Sequence, residues 1–288
     1  MMKFLLRALL GMGGVVALVY LAICLYLFFQ QSRFIFFPSP VIETTPDVFN
    51  LGYQEVWLPV STDSGKVERI HGWWIPAAQA DAKVLLYLHG NGINIGANVA
   101  HANRFHQLGF SVLLIDYRGY GRSEGIPSES GVYQDAEIAW DYLVKRHQPN
   151  EIFIYGHSLG GAIAINLAVQ HPEAAGLIVE SSFTSIKDIA NLQGRFWMFP
   201  VDLILNQRFD SISKVESLQI PVLFVHGEAD MQVPATMSQE LYAAAPKPKY
   251  LFLIPGAGHN NTAEIAGGQY FQRMRQFLQQ VQREETTR

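Results

Sequence analysis

The chain has 288 residues, 49% of them hydrophobic and 16% charged, whereas ordinary soluble domains are about a quarter charged. That balance excludes a disordered chain, and 21 Lys and Arg against 25 Asp and Glu, a net charge of −4, give no basic excess for a nucleic-acid partner. The single cysteine, Cys24, cannot close an internal disulfide, form a CxxC pair or build a thiolate zinc cluster.

The apolar excess lies at the front. No charged residue occurs from Ala8 to Ser32, and 22 helical residues from Ala8 to Phe29 would span about 33 Å, against a hydrocarbon core of about 30 Å. A cleaved signal peptide has a shorter apolar region and a small-residue cleavage site. This stretch instead ends in Leu25-Tyr26-Leu27-Phe28-Phe29, so it reads as an uncleaved single-pass membrane anchor. Lys3, Arg7 and the amino terminus precede the span and only Arg33 follows closely. The positive-inside rule then predicts a cytoplasmic N-terminus and a main domain on the far side. Tyr26, Phe28, Phe29, Phe34, Phe36 and Phe37 form an aromatic cluster that suits a membrane interface or packing on the following domain. Pro38 and Pro40 are expected to end the helix and open a linker, giving an anchor and linker over 1–40 and a domain over 41–288.

Tyr53–Val60 and Arg69–Ile75 read as strands joined across the turn-rich Ser61-Thr62-Asp63-Ser64-Gly65, an antiparallel edge. Apolar runs at Val84–His89, Ser111–Asp116, Glu151–Tyr155, Gly176–Glu180, Ile220–His226 and Lys249–Ile254 then alternate with helical patterns. The helices are expected at Asn98–Leu108, Ser130–Arg146, Leu159–Gln170, Pro234–Ala244 and Glu264–Gln282. Such alternation predicts an α/β fold with a mostly parallel sheet flanked by helices. The gap between Glu180 and Ile220 is long for a connection of this kind and predicts a cap insertion over about 182–219.

Gly156-His157-Ser158-Leu159-Gly160-Gly161 contains Gly-x-Ser-x-Gly between a strand-like and a helix-like stretch. A serine there sits on a sharp turn with its hydroxyl exposed above the sheet. It needs a base, itself oriented by an acid. Of the histidines that follow, His171 lies at the far end of the next helix and His226 ends a strand. His259, in the loop after the last strand, is the expected base. Asp230 is the preferred acid and Glu228 the alternative. The oxyanion of a tetrahedral intermediate needs two backbone donors: the Leu159 amide and, from the loop His89-Gly90-Asn91-Gly92, the Asn91 amide.

These pieces resemble the α/β-hydrolase superfamily and, within it, the membrane-anchored Bem46/ABHD13-like branch. The resemblance rests on His89-Gly90-Asn91-Gly92, Asp116-Tyr117-Arg118-Gly119-Tyr120-Gly121, the Ser158 motif, Glu180-Ser181-Ser182-Phe183-Thr184-Ser185, Gly227 with Asp230 and Val233-Pro234, and Gly258-His259. It implies Ser158, Asp230 and His259 as a catalytic triad with Asn91 and Leu159 as oxyanion donors, working without cofactor or metal. The expected function is a membrane-tethered serine hydrolase cleaving acyl esters or thioesters. A peptidase or amidase of the same fold and a catalytically silent binding protein are the alternatives. The bilayer is the expected partner of the N-terminal helix, and nothing in the sequence sets an oligomeric state.

Other features carry less. Arg118 and Arg122 suit either an acidic substrate group or a scaffold tie, and Asp116 comes too early for the acid. Phe196-Trp197-Met198-Phe199-Pro200 is expected to line an acyl pocket, touch lipid or pack within the cap. The sequon Asn260-Asn261-Thr262 abuts His259, where a glycan would obstruct the site. His71, His101, His106 and His147 lack metal-ligand spacing, and no phosphate-binding loop or dinucleotide fingerprint is present.

Overall fold

The computed structural model describes residues 1–61, 65–79, 81–194 and 196–287. It opens with helix α1 (Met2–Gln30), 29 residues long and with none of them buried, followed by the single turn α2 (Ser32–Ile35). α1 is long and apolar enough to cross a membrane. Both helices end before Pro38, and the residues expected as linker are fastened to the domain. Ile35 and Phe36 are buried, and Phe36 meets Phe209 edge-on at 6.0 Å. The aromatic cluster at the end of α1 therefore divides, with Phe36 in the core and Phe29 exposed. Beyond it the two-residue strand β1 (Phe37–Pro38) pairs with a later one.

The main sheet then builds through β2 (Gln54–Ser61), β3 (Val67–Ile75) and β4 (Val84–Leu88). Strand β5 (Gly92–Ile93), the partner of β1, and helix α3 (Val99–Gln107) follow. The turn residues Thr62, Asp63 and Ser64 of the expected hairpin lie outside the described residues, but β2 and β3 pair antiparallel. Next come β6 (Ser111–Ile115), α4 (Glu129–Val144), β7 (Ile152–His157), α5 (Leu159–Gln170) and β8 (Gly176–Glu180). Three short helices, α6 (Ile186–Gln193), α7 (Val201–Ile204) and α8 (Ser211–Val215), fill the long gap before β9 (Val222–Gly227). The chain closes with α9 (Ala235–Ala244), β10 (Lys249–Ile254), α10 (Thr262–Ala266) and α11 (Gly268–Thr287). The last helical stretch is thus broken where a continuous helix was expected: Gly267 takes a φ of 51° between α10 and α11, a conformation open to glycine.

Strand order is β10-β9-β8-β7-β4-β6-β3-β2. Only β3 runs against its neighbours, because it pairs antiparallel with both β2 and β6. The central strands are buried along their whole length, which explains their unbroken apolar sequences. Side chains alternate across a sheet, so Leu86 and Leu88 of β4 enter one core while Leu85 and Tyr87 enter the other. Val132, Ala136, Ala139, Trp140 and Leu143 of α4, spaced for one helical face, seal the first core. Tyr270, Met274 and Phe277 of α11 seal the second. All the parallel strands therefore present their C-terminal ends, and the loops that follow them, at one edge of the sheet.

Candidate active site

Ser158 stands between β7 and α5 with φ 53° and ψ −118°, a strained backbone for a residue with a side chain. The glycines around it permit the close approach. A Cβ on Gly156 would lie 2.1 Å from the Gly160 carbonyl oxygen, and one on Gly160 would lie 2.1 Å from that of Leu88. The turn is also tied to the next strand, since the Ser158 amide donates to the Glu180 carbonyl at 2.9 Å.

His259, from the loop after β10, brings its Nε2 to 3.0 Å from Ser158 Oγ and its Nδ1 to 2.6 Å from Asp230 Oδ2. The carboxylate fixes the tautomer. Nδ1–H donates to Asp230, and Nε2 is left to accept the serine hydroxyl's proton. Asp230 is held in turn. Its Oδ1 accepts from the amides of Gln232 at 2.8 Å and Val233 at 2.9 Å, and His226 Nε2 lies 3.2 Å from Oδ2. Burial opposes its charge, but the His226 and His259 rings and the Val233 amide outweigh that and hold its carboxyl well below the usual range. Glu228, the alternative acid, is exposed. His226 serves as a strut: Nε2 also reaches the Val233 carbonyl at 2.9 Å and Nδ1 the Ser238 hydroxyl at 2.6 Å. His171 is spent elsewhere, between Glu137 and Glu173.

Leu159 opens α5, so its amide lies at the positive end of that helix. Asn91 is clamped. Its carbonyl accepts from the Phe37 amide at 2.9 Å and from Tyr120 Oη at 2.8 Å, and its side chain donates to the Ile35 carbonyl at 3.0 Å. The Gly90 carbonyl turns onto His89 Nδ1 at 2.7 Å. In a trans peptide the N–H points opposite to that carbonyl, so the Asn91 amide faces away from His89.

A second polar layer lies behind the histidine. Glu180, fully buried at the end of β8, accepts from Tyr155 Oη at 3.0 Å, Tyr270 Oη at 2.8 Å and the Thr262 hydroxyl. Burial disfavours its charge, yet the His157 and His101 rings and the Thr262 and Tyr270 hydroxyls hold its carboxyl below its ordinary value. Thr262 follows His259 by three residues, and His157 Nε2 donates to the His259 carbonyl at 3.0 Å, so this layer grips the histidine loop at two points. The motif piece that begins at Glu180 gives no sign of these partners. The only hint in the sequence is a glutamate ending an otherwise apolar strand. Thr262, the third residue of the sequon, is buried with its hydroxyl engaged, whereas Asn260 and Asn261 are exposed beside His259.

Ser158, Leu159, Asn91 and His259 open onto a cavity of about 560 Å³, within the usual range for small-molecule sites. Phe183, Phe196, Phe199 and Ile204 line it from the segment after β8, and Leu27 and Phe34 line it from α1 and α2. The N-terminal helices thus supply part of the wall, which sequence reasoning missed. Gln31 is the fastener: its Nε2 donates to the carbonyls of Phe28 at 2.7 Å and Ile204 at 3.3 Å, and its Oε1 accepts from the amides of Asn206 and Gln207, both at 3.0 Å. The two arginines left open by the sequence are scaffold ties. Arg118 pairs with buried Asp135 at 2.7 Å and Arg122 with Glu55. Asp116 is buried and accepts from the Ile95 amide at 2.8 Å, holding the loop that follows β4.

Residues 79–213 match the family model described as serine aminopeptidase, S33. The chain is 36% identical to the protein Rv2307c of Mycobacterium tuberculosis, over 92% of this chain and 93% of that one. It is 32% identical to Bem46 of Schizosaccharomyces pombe over 92% of each. Its fold matches that of the Pyrococcus furiosus esterase Pf2001 with a TM-score of 0.69 at 21% identity, covering 86% of this chain and 98% of that one.

Proposed function

The chain belongs to the α/β-hydrolase family, in the branch that holds Bem46, and is a serine hydrolase; from that premise we propose a membrane-tethered enzyme that cleaves acyl esters or thioesters through Ser158, His259 and Asp230. The observation that carries this reading is the unbroken chain from Ser158 Oγ through His259 to Asp230 at the foot of a mainly apolar cavity.

The steps follow from the geometry. As Ser158 Oγ attacks the acyl carbonyl, its proton passes to His259 Nε2, and the imidazolium is stabilised by the Asp230 carboxylate. Negative charge gathers on the carbonyl oxygen, where the Leu159 and Asn91 amides meet it. Collapse expels the alcohol or thiol with the proton from Nε2 and leaves an acyl-Ser158. Water, deprotonated by the same nitrogen, then releases the acid. The apolar walls suit an acyl chain.

The description of the matched family favours amide cleavage as a second reading. A free α-amine would call for an acidic partner, and among the described residues no Asp or Glu lines the cavity, so esters or thioesters are preferred. Lys3 and Arg7 before the span, against Arg33 after it, support a domain on the non-cytoplasmic side.

A fluorophosphonate probe should label wild type and fail on Ser158→Ala. Acyl esters of increasing chain length should be cleaved faster than aminoacyl amides, and the reverse order would sink the ester reading. Protease added outside sealed vesicles of known sidedness tests orientation. Protection of the domain until the cytoplasmic face is opened would reverse it.

A further inference from the structure

Tyr20 precedes Gln30 by ten residues, about 15 Å along the axis of α1. At that height the helix is gripped from the side. Tyr20 Oη donates to the Met198 carbonyl at 2.8 Å, and its ring stacks on Phe199 with centroids 5.7 Å apart and planes 9° apart. The segment between α6 and α7 therefore stands beside the apolar helix and not beyond its end. Around this contact Trp197 is 82% exposed, Leu203 80%, Leu192 61% and Met198 60%. Such a cluster of large apolar side chains marks an interaction surface, and its continuity with α1 identifies the occupant as lipid.

The backbone of this segment is built for such a medium. Polar main-chain groups in hydrocarbon must be satisfied internally. The amides of Phe199, Val201, Leu203, Ile204 and Leu205 all donate to carbonyls between Phe196 and Val201. The Met198 carbonyl takes the Tyr20 hydroxyl and that of Asp202 takes Arg208. The charged side chains of Lys187 and Asp202 neutralise each other. Behind this patch, Phe196, Phe199 and Ile204 face Leu27 and Phe34 across the cavity that holds Ser158.

We propose that Trp197, Met198 and Leu203 are immersed in the leaflet that receives the end of α1, and that substrate enters the cavity sideways from that leaflet, between helix and cap. The substrate class is then a single-chain acyl amphiphile dissolved in the bilayer, with its chain already in lipid when its ester reaches Ser158. The entry route rests on the hydrolase reading above, whereas the immersion does not.

Two measurements on the full-length protein in phosphatidylcholine vesicles test the proposal. With acyl chains brominated part-way along their length, tryptophan fluorescence should be quenched, and Trp197→Phe should remove most of the quenched component. Emission from Trp197 that ignores the bromines would overturn the immersion. So would cross-linking between chains through Trp197→Cys, which would assign the patch to a second copy. The second measurement compares two esters in the variant Trp197→Asp, Leu203→Asp. Hydrolysis of a monoacylglycerol dissolved in the vesicles should fall at least roughly tenfold, since each of the two large apolar side chains lost from lipid is worth about a factor of ten. Hydrolysis of water-soluble p-nitrophenyl acetate should be unchanged. Equal rates of monoacylglycerol cleavage by variant and wild type would overturn lateral entry. If wild type cleaved neither ester, the hydrolase reading and the entry route would fall together, while the quenching result would still decide the immersion.

Discussion

The floor and the roof of the cavity are built on opposite principles. The floor is polar and over-determined: Ser158, His259 and Asp230 touch in series, and Asp230 and the His259 loop are each held by several further bonds. The roof is apolar and assembled from two distant stretches of chain, the end of α1 and the segment after β8, joined chiefly by Gln31 and Tyr20. Chemistry needs atoms held to tenths of an ångström, and directional bonds supply that. Accommodation of a flexible chain needs volume and apolar surface, which looser packing supplies. The floor should therefore fail abruptly and as a unit, and the roof gradually.

The largest expected effects test the unit. Ser158→Ala should lower kcat for a short soluble ester by roughly 10^6-fold, and Asp230→Asn by roughly 10^4-fold, because it leaves His259 in the wrong tautomer. The double variant should be no worse than Ser158→Ala. Additive losses in kcat would mean that the floor does not act as one device.

A smaller effect separates floor from roof by pH. Burial, reinforced by His157 and Arg104, lowers His101 to about 3 from an ordinary 6.5. Its folded pKa lies below its unfolded one. The associated stability is therefore fully present above about pH 6.5 and is lost as pH falls toward 3, where the unfolded chain binds a proton that the fold refuses. The urea midpoint should decline across that window, and His101→Gln should flatten the decline. Roof variants should leave the slope alone. A wild-type midpoint that stays level between pH 6 and 4 would contradict this account.

The smallest effect concerns the fastener. Gln31→Ala strips the Asn206 and Gln207 amides of their acceptor, at about 1–3 kcal/mol for a buried group left unpaired. Faster proteolysis within 196–210 and a few-fold fall in kcat/KM for long-chain esters are expected, with kcat for a soluble ester retained. A change in kcat as large as that of Asp230→Asn would show that roof and floor are coupled.

The same division governs what the sequence revealed. Val84–Leu88 and Ile152–His157 were legible as strands because burial on both faces forces continuous apolar runs. Ser158, Asp230 and His259 could be chosen from a glycine pattern and from their places after successive strands, since the fold brings all strand ends to one edge. Gln31 could not be found that way. It is one polar residue after an apolar helix, and the partners it fastens in the cap lie 173 to 176 residues further on. Glu180 was visible as a residue but not as a hub, because the tyrosines and threonine that meet it come from β7, α10 and α11. Phe36 looked like its neighbours Phe34 and Phe37, and only the position of Phe209 separates it from them. Local periodicity reports which face of an element is dry. It does not report which distant element makes it so.

The placement of Leu27 and Gln31 in the cavity wall has a consequence for shedding. A protease that cut α1 between Leu27 and Gln31 would remove the apolar helix, as trimming a simple tether would. The remaining domain would also lose Leu27 and the Tyr20 brace, leaving one side of the acyl channel open to water. On the proposed function, loss of the apolar helix and loss of selectivity for long chains would be a single event. The amount of uncut protein would then set how much long-chain hydrolysis a cell retains, even where total hydrolase activity toward small esters is unchanged.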